Sequence, residues 1–178
     1  MTDTETRKKK VMGIIKGVIP YLVIILIVLF IRAYVVIPIR VNGDSMAPTL
    51  EMNEFMILNR LAYRNQDLNR FDIVVIQYGD RPLIKRIIGL PGETVEYRDK
   101  VLYINGEAVE ETFERGDTED YNITEHGFVN VPDNQVFAIG DNRENSIDSR
   151  HLGFFNKNVI IGKANFVLFP ISDWGRRE

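Results

Sequence analysis

Asp72-Ile73-Val74-Val75-Ile76-Gln77-Tyr78, followed after a short break by Leu83-Ile84-Lys85-Arg86-Ile87-Ile88-Gly89, decides the fold class. Both runs are short, rich in β-branched residues and bounded by turn residues, which is the pattern of strands. Outward from this pair the same pattern repeats. Phe55–Leu58 precedes it; Thr94–Tyr97, Val101–Ile104, Ala108-Val109, Val136–Ile139 and the long Val159–Phe169 run follow. Asn105-Gly106 predicts a two-residue hairpin turn, and Pro91-Gly92 marks another tight turn. Glu110–Asn130 is charged and poor in long apolar runs, and is expected to leave the sheet as an exposed excursion with mobile loops. Leu61–Asn69 is expected as one short helical turn or a loop. The prediction is a mainly β domain over residues 40–178, with a small inserted cap or hairpin region near residues 92–132.

A different pattern precedes this domain. Arg7-Lys8-Lys9-Lys10 and Lys16 lead into an uncharged run from Gly17 to Ile31, and apolar residues continue past Arg32 to Ile39. The strict run is shorter than the ~20 residues a spanning helix needs, but Lys16 and Arg32 stand at its ends, where long side chains snorkel to the interface. A cleaved signal peptide would need a small-x-small site after the run, and Arg32-Ala33-Tyr34-Val35-Val36-Ile37 offers none. The expectation is one retained transmembrane helix over residues 11–39, preceded by a basic cytoplasmic tail over residues 1–10. The basic cluster places that tail inside the cell and everything after Pro38 outside.

The chain has 178 residues, 45% of them hydrophobic, enough for one domain with a core plus a membrane segment. Its net charge of −3 is unevenly spread: residues 1–40 carry seven basic and two acidic side chains, the remainder fifteen and twenty-three. An acidic globular part argues against nucleic acid as a partner. There is no cysteine, which excludes disulfides, thiolate metal sites and Cys nucleophiles. The two histidines, His126 and His151, have no ligand partner at helical or hairpin spacing, so neither a metal nor any other cofactor is expected.

Nucleophilic chemistry has a better foothold. Asn42-Gly43-Asp44-Ser45-Met46-Ala47-Pro48-Thr49-Leu50 places a serine on a turn just beyond the apolar segment, since Gly43 permits unusual backbone and Pro48 restricts Ala47. It is not a nucleophile elbow, because the fifth position of Gly-x-Ser-x-Gly is Ala47 and no strand–helix alternation follows. Lys85 lies inside an otherwise apolar strand. Period-2 alternation sends Lys85 and Arg86 to opposite faces, so one cation points inward while the other stays wet. Apolar surroundings lower a lysine's pKa, and the neutral amine is then a base for Ser45. A third cluster, Gly140-Asp141-Asn142-Arg143-Glu144-Asn145-Ser146-Ile147-Asp148-Ser149-Arg150, is dense in hydrogen-bonding groups. There Asp148 and Arg150 can form a charge-assisted pair, and Ser146 can donate or accept beside a neutral amine.

Three stretches together, GDSMAPTL, IKRIIGLPGE and GDNRENSIDSR, resemble bacterial type I signal peptidase (leader peptidase) of the single-anchor kind typical of Gram-positive bacteria. They stand in the family's order behind its N-terminal anchor. The resemblance implies a signal-peptidase-like β-sheet catalytic domain and a membrane-bound serine endopeptidase that removes signal peptides from exported preproteins at small-x-small sites; a monomer is expected, although the sequence itself does not show the oligomeric state. It implies Ser45 as nucleophile and Lys85 as general base, with Ser146 orienting the amine and Asp148 and Arg150 bracing its loop. Asp141 and Arg143 would be further structural members, and the Ser45 N–H an oxyanion donor. Many Gram-negative relatives place a second donor, a serine hydroxyl, two residues before the nucleophile; Gly43 stands there in this chain. The substrate is expected as an added strand, with Val41, Met46, Leu50 and Ile84 lining shallow pockets for the −1 and −3 side chains. Three other readings compete: a self-cleaving Ser-Lys protein, a silent anchored domain that binds exported peptides, and an esterase using Ser45 with His151.

Overall fold

The structure, a computed structural model, describes residues 3–34, 36–60 and 68–177. The chain divides into two compact units, Met1–Val36 and Ile37–Glu178. The first unit is helix α1, Asp3–Tyr34, with Pro20 inside it. Beyond Arg32, Ala33 and Tyr34 close this helix, and Val36–Ile39 belong to strand β1, Val36–Arg40. Among the described residues no helix is long and apolar enough to cross a membrane.

The second unit is mainly antiparallel β with little helix. Strands β2 (Phe55–Asn59), β3 (Ile73–Tyr78) and β4 (Arg81–Gly89) are followed by three short strands, β5 (Val95–Arg98), β6 (Val101–Ile104) and β7 (Glu107–Val109). After β8 (Tyr121-Asn122) and β9 (Gln135–Ile139), one helical turn, α2 (Ser149–Leu152), leads to β10 (Phe155-Asn156), β11 (Ile160–Phe169) and β12 (Gly175-Arg176). The larger sheet has the order β1-β2-β11-β3-β4-β9-β10, with β12 added to β11. The smaller sheet has the order β7-β6-β5-β8. Asn105 and Gly106, at φ 52° and 83°, make the tight β6–β7 turn, since Asn tolerates and Gly readily adopts positive φ.

Three apolar clusters hold these layers. One joins the loop after β1 to the large sheet through Val41, Met46, Leu50, Met56 and Val75. A second fixes the small sheet against β4 and β9 through Tyr97, Leu102, Ile88 and Phe137. The third covers the other side of β3, β4 and β9 with Leu68, Ile76, Ile87 and Val136. The Glu110–Asn130 segment is tied in more firmly than its composition suggests. It supplies β8, buries Ile123 completely and leaves Thr118 at 2% exposure, while Phe128 and Val129 remain outside. Apolar anchors spaced singly among charges hold it, and no run of them marks the contact. Of the turn expected at Leu61–Asn69, residues 61–67 lie outside the described residues.

Candidate active site

The loop between β1 and β2 is closed at its base by the Val41 N–H donating to Glu54 O at 2.8 Å and the Asn53 N–H to Val41 O at 2.9 Å. Within it the Ala47 N–H bonds Asp44 O and the Leu50 N–H bonds Met46 O, which makes a turn whose apolar side chains, Met46 and Leu50, sink into the core. The Ala47–Pro48 peptide in this turn is cis. Met46 beside it is buried while Asp44 on the other side is exposed, so Ser45 is left half-buried at the rim.

Lys85 comes to it from β4. The Lys85 Nζ is 2.8 Å from Ser45 Oγ and 3.0 Å from Ser146 Oγ, and the residue is 2% exposed. Burial lowers its pKa from 10.5 to about 8, against the upward pull of Asp148 and Asp141 and with a smaller downward push from Arg150. Ser146 arrives because β9 pairs with β4 from Arg86 to Gly89 and ends at Ile139, so the following loop falls beside Lys85. Asp148, fully buried, anchors that loop. Its carboxylate accepts from the Gly140 N–H at 3.0 Å and from Arg150 Nε and Nη2 at 2.9 Å each. Burial would raise its pKa, but the Arg150 guanidinium, the Ser146 hydroxyl and the Gly140 N–H outweigh it and hold the carboxyl below its usual value.

Arg86 departs from expectation: it is not wet. Both members of the adjacent pair of cations are buried, Arg86 at 0% exposure. Its Nε and Nη2 donate to the Asp141 carboxylate, the closer at 2.6 Å, its Nη1 to Phe71 O at 3.0 Å, and its guanidinium lies 3.7 Å from the Phe113 ring centre. A guanidinium tolerates this burial because its fork meets a carboxylate in two-point geometry. Arg143 is likewise buried, donating through Nε to Gly140 O at 3.1 Å.

The loops of Ser45 and Ser146 are laced directly. The Asn142 N–H donates to Ser45 O at 3.1 Å, Asn142 Nδ2 to Asp44 O at 3.0 Å, and Asn145 Nδ2 to the Asp44 carboxylate at 2.8 Å. Gly140 sits where a Cβ would run into Ser45 O and Ser146 Oγ, so glycine is the residue that lets the loops meet. Sequence reasoning did not find Arg86, Asn142 or Asn145 as members of the site. The two asparagines carried a readable signal only in the polar density of their loop.

A cleft of about 690 Å³ leads away from Ser45. Its walls are β1 with Val41 and Met46 on one side and Arg81–Ile84 on the other. Leu50 does not line it; this side chain belongs to the core beneath. β9 stops at Arg86, so the Arg81–Lys85 main chain has β3 on one edge and no strand on the other among the described residues. His151 points elsewhere: its side chain is 60% exposed, 4.0 Å from Asp148, and among the described residues the partner of Ser45 Oγ is the Lys85 amine. No group of three or more acidic, His or Cys side chains among the described residues is placed to hold a metal.

Residues 14–169 match the family model described as signal peptidase, peptidase S26. Signal peptidase I S of Bacillus subtilis (strain 168) is 38% identical over 97% of this chain and 96% of its own. A signal peptidase I of Bacillus amyloliquefaciens is 37% identical over 96% of this chain and 95% of its own. The crystal structure of a signal peptidase I from Enterococcus faecalis superposes with a TM-score of 0.51 at 35% identity, covering 55% of this chain and 97% of that one. Sequence over nearly the full length and fold over the matched part agree, and the chain belongs to the peptidase S26 family of signal peptidases.

Proposed function

We propose that Ser45 and Lys85 are the nucleophile and general base with which this serine endopeptidase removes signal peptides from exported preproteins. The observation that carries the assignment is the 2.8 Å contact between a buried amine and a serine hydroxyl at the mouth of a cleft. Neutral Lys85 takes the Ser45 proton as Oγ attacks the scissile carbonyl. The resulting ammonium then protonates the leaving amine, and the same amine activates the water that releases the acyl group. Ser146 accepts a hydrogen bond from the amine and donates its own hydroxyl hydrogen bond to the Asp148 carboxylate, which fixes the amine's direction. Arg150 holds Asp148, Asp141 and Arg143 hold the loop, and the Ser45 N–H faces the developing oxyanion.

The substrate lies as an added strand on the open edge of Arg81–Lys85, with the −1 and −3 side chains against Val41, Met46 and Ile84. The shallow apolar walls favour small residues there. The described apolar stretch is too short to span by itself. Lys16 and Arg32 at the ends of the uncharged run can snorkel and lengthen it, so unit Met1–Val36 is read as a single-pass anchor, its basic end cytoplasmic and the catalytic unit outside the cell. In support, Tyr21–Phe30 are all between 47% and 69% exposed apolar side chains on one helix, a surface apolar on every face that suits lipid better than water.

The test is cleavage of a preprotein with an Ala-x-Ala site by the full chain in detergent. Wild type is expected to cut after the second alanine and Ser45→Ala to leave the substrate intact. Cleavage that survives Ser45→Ala transfers the nucleophile elsewhere, and a folded wild type that binds without cutting makes the chain a peptide-binding module. Turnover is also expected to depend on pH. Only the neutral amine is competent, so kcat/KM rises through an apparent pKa near 8 and levels above it. A profile flat from pH 6 to 10, measured with the same substrate, contradicts the lysine base.

A further inference from the structure

The loop that carries Ser146 and Asp148 is gripped from behind by the inserted region. Glu111 lies two residues beyond β7 with its side chain 1% exposed. One carboxylate oxygen accepts from Arg143 Nη2 at 2.5 Å and from the Tyr97 hydroxyl at 2.9 Å; the other is 2.6 Å from Arg115 Nε. Arg143 in turn reaches Thr118 Oγ1 and Tyr97 Oη through Nη1, and Gly140 O through Nε at 3.1 Å. Gly140 is the residue with no room to spare between Ser45 and Ser146, and its own N–H is bonded to Asp148. A second tie runs in parallel, from the Gly116 N–H to Asp141 O at 2.9 Å. An unbroken series of contacts thus leads from the insert to both hydroxyls that touch the Lys85 amine.

Within that series Glu111 is the carboxylate in direct contact with Arg143. Burial alone would push the Arg143 pKa down, but Tyr97, Glu111 and Asp141 reverse it, so the cation is held in place. We infer that Glu111 is a positioning residue for the peptidase reaction: through Arg143 and the Gly140 carbonyl it keeps Ser146 against the Lys85 amine. The inserted region is then a buttress of the catalytic loop.

The inference rests on the Ser45–Lys85 assignment and makes a prediction that a merely structural carboxylate does not. The charged groups acting on Lys85 are Asp148, Arg150 and Asp141, and Glu111 is not among them. The ionisable groups facing Glu111 are Arg143, Arg115 and Tyr97. Neutralising Glu111 therefore leaves the direct electrostatics at Lys85 unchanged, and any change in its titration has to travel through the loop. A loosened Ser146 admits water to the amine and raises its pKa.

The experiment compares wild type, Glu111→Gln and Glu111→Ala, as full chain in detergent on the Ala-x-Ala preprotein, across pH 6 to 10. Asp117→Asn, which breaks only the exposed Lys100–Asp117 pair of the same region, serves as control. Glu111→Gln is expected to lower kcat roughly ten- to hundredfold with KM within about twofold, as a displacement of the catalytic groups would. The midpoint of the kcat profile moves to higher pH by about one unit. Glu111→Ala goes further, and Asp117→Asn matches wild type. Wild-type kcat and midpoint in Glu111→Gln overturn the inference. So does a loss of rate with an unmoved midpoint that scales with the fraction of folded enzyme. Activity retained by Ser45→Ala would instead remove the dyad itself, whatever the Glu111 variants do.

Discussion

Lys85→Met is expected to give a folded enzyme that is inactive and melts higher than wild type at pH 7. Loss of the base removes roughly 10²–10⁴ in kcat. Lys85→Arg is equally inactive, because a guanidinium stays protonated at any working pH. The stability gain follows from linkage. The folded-state pKa of about 8 lies below the free value of 10.5, so between those two pH values the unfolded chain binds more protons than the native one. Native stability therefore rises as pH climbs from 8 to 10.5, and below 8 the whole penalty of holding an ammonium in this site is present. At about 1.4 kcal/mol per pKa unit the penalty is about 3 kcal/mol. Methionine, of similar length and without charge, avoids it. Thermal melts of both proteins at pH 7 and pH 10 check the argument: the Met variant leads at pH 7 and its lead shrinks at pH 10. A Met variant less stable than wild type at pH 7 refutes it. On the proposed assignment the base is kept at the expense of stability, as an active site that holds one group in an unfavourable state must do.

How much of this was legible in the sequence depends on how far apart the deciding residues lie. Strands such as Val101–Ile104 and turns such as Asn105-Gly106 are local, and their pattern is enough to place them. The burial of Lys85 was legible for the same reason, since its apolar neighbours are adjacent on β4. Arg86 was misread because what permits its burial is Asp141, fifty-five residues away, and alternation along a strand says nothing about a partner on another loop. β1 was absorbed into the anchor because Val36 to Ile39 are apolar, and that composition reads alike in lipid and in a sheet. Leu50 was placed in the cleft on the family resemblance alone; the turn at Met46–Leu50 instead directs it into the core. Glu111 gave no signal at all. Among the acidic residues of its segment nothing in composition distinguishes the one whose carboxylate meets Arg143.

The fully buried Arg86–Asp141 pair is where the largest loss of stability is expected. Asp141→Ala leaves a guanidinium at 0% exposure with Phe71 O, a long contact to Thr49 Oγ1 and the Phe113 ring as its remaining support. Removing one partner of such a pair costs about 3–5 kcal/mol, because the other charge stays buried without compensation. Asp141→Asn keeps an acceptor and loses less. Replacing both partners, Arg86→Met with Asp141→Leu, removes the uncompensated charge and is expected to recover most of the loss, since two apolar groups of similar volume carry no desolvation cost. Urea unfolding midpoints of the three variants give the order directly. Turnover should not follow stability. Asp141 stands between Gly140, which admits Ser45 and Ser146 to each other, and Asn142, whose N–H holds Ser45 O. The two-point ion pair fixes that stretch in one register, and apolar packing does not specify direction in the same way. The double variant is therefore expected to fold stably and cleave the preprotein poorly. Restored folding together with restored turnover would mean that the pair serves stability alone, and that the register of the loop is set by the asparagine ties and by Arg143.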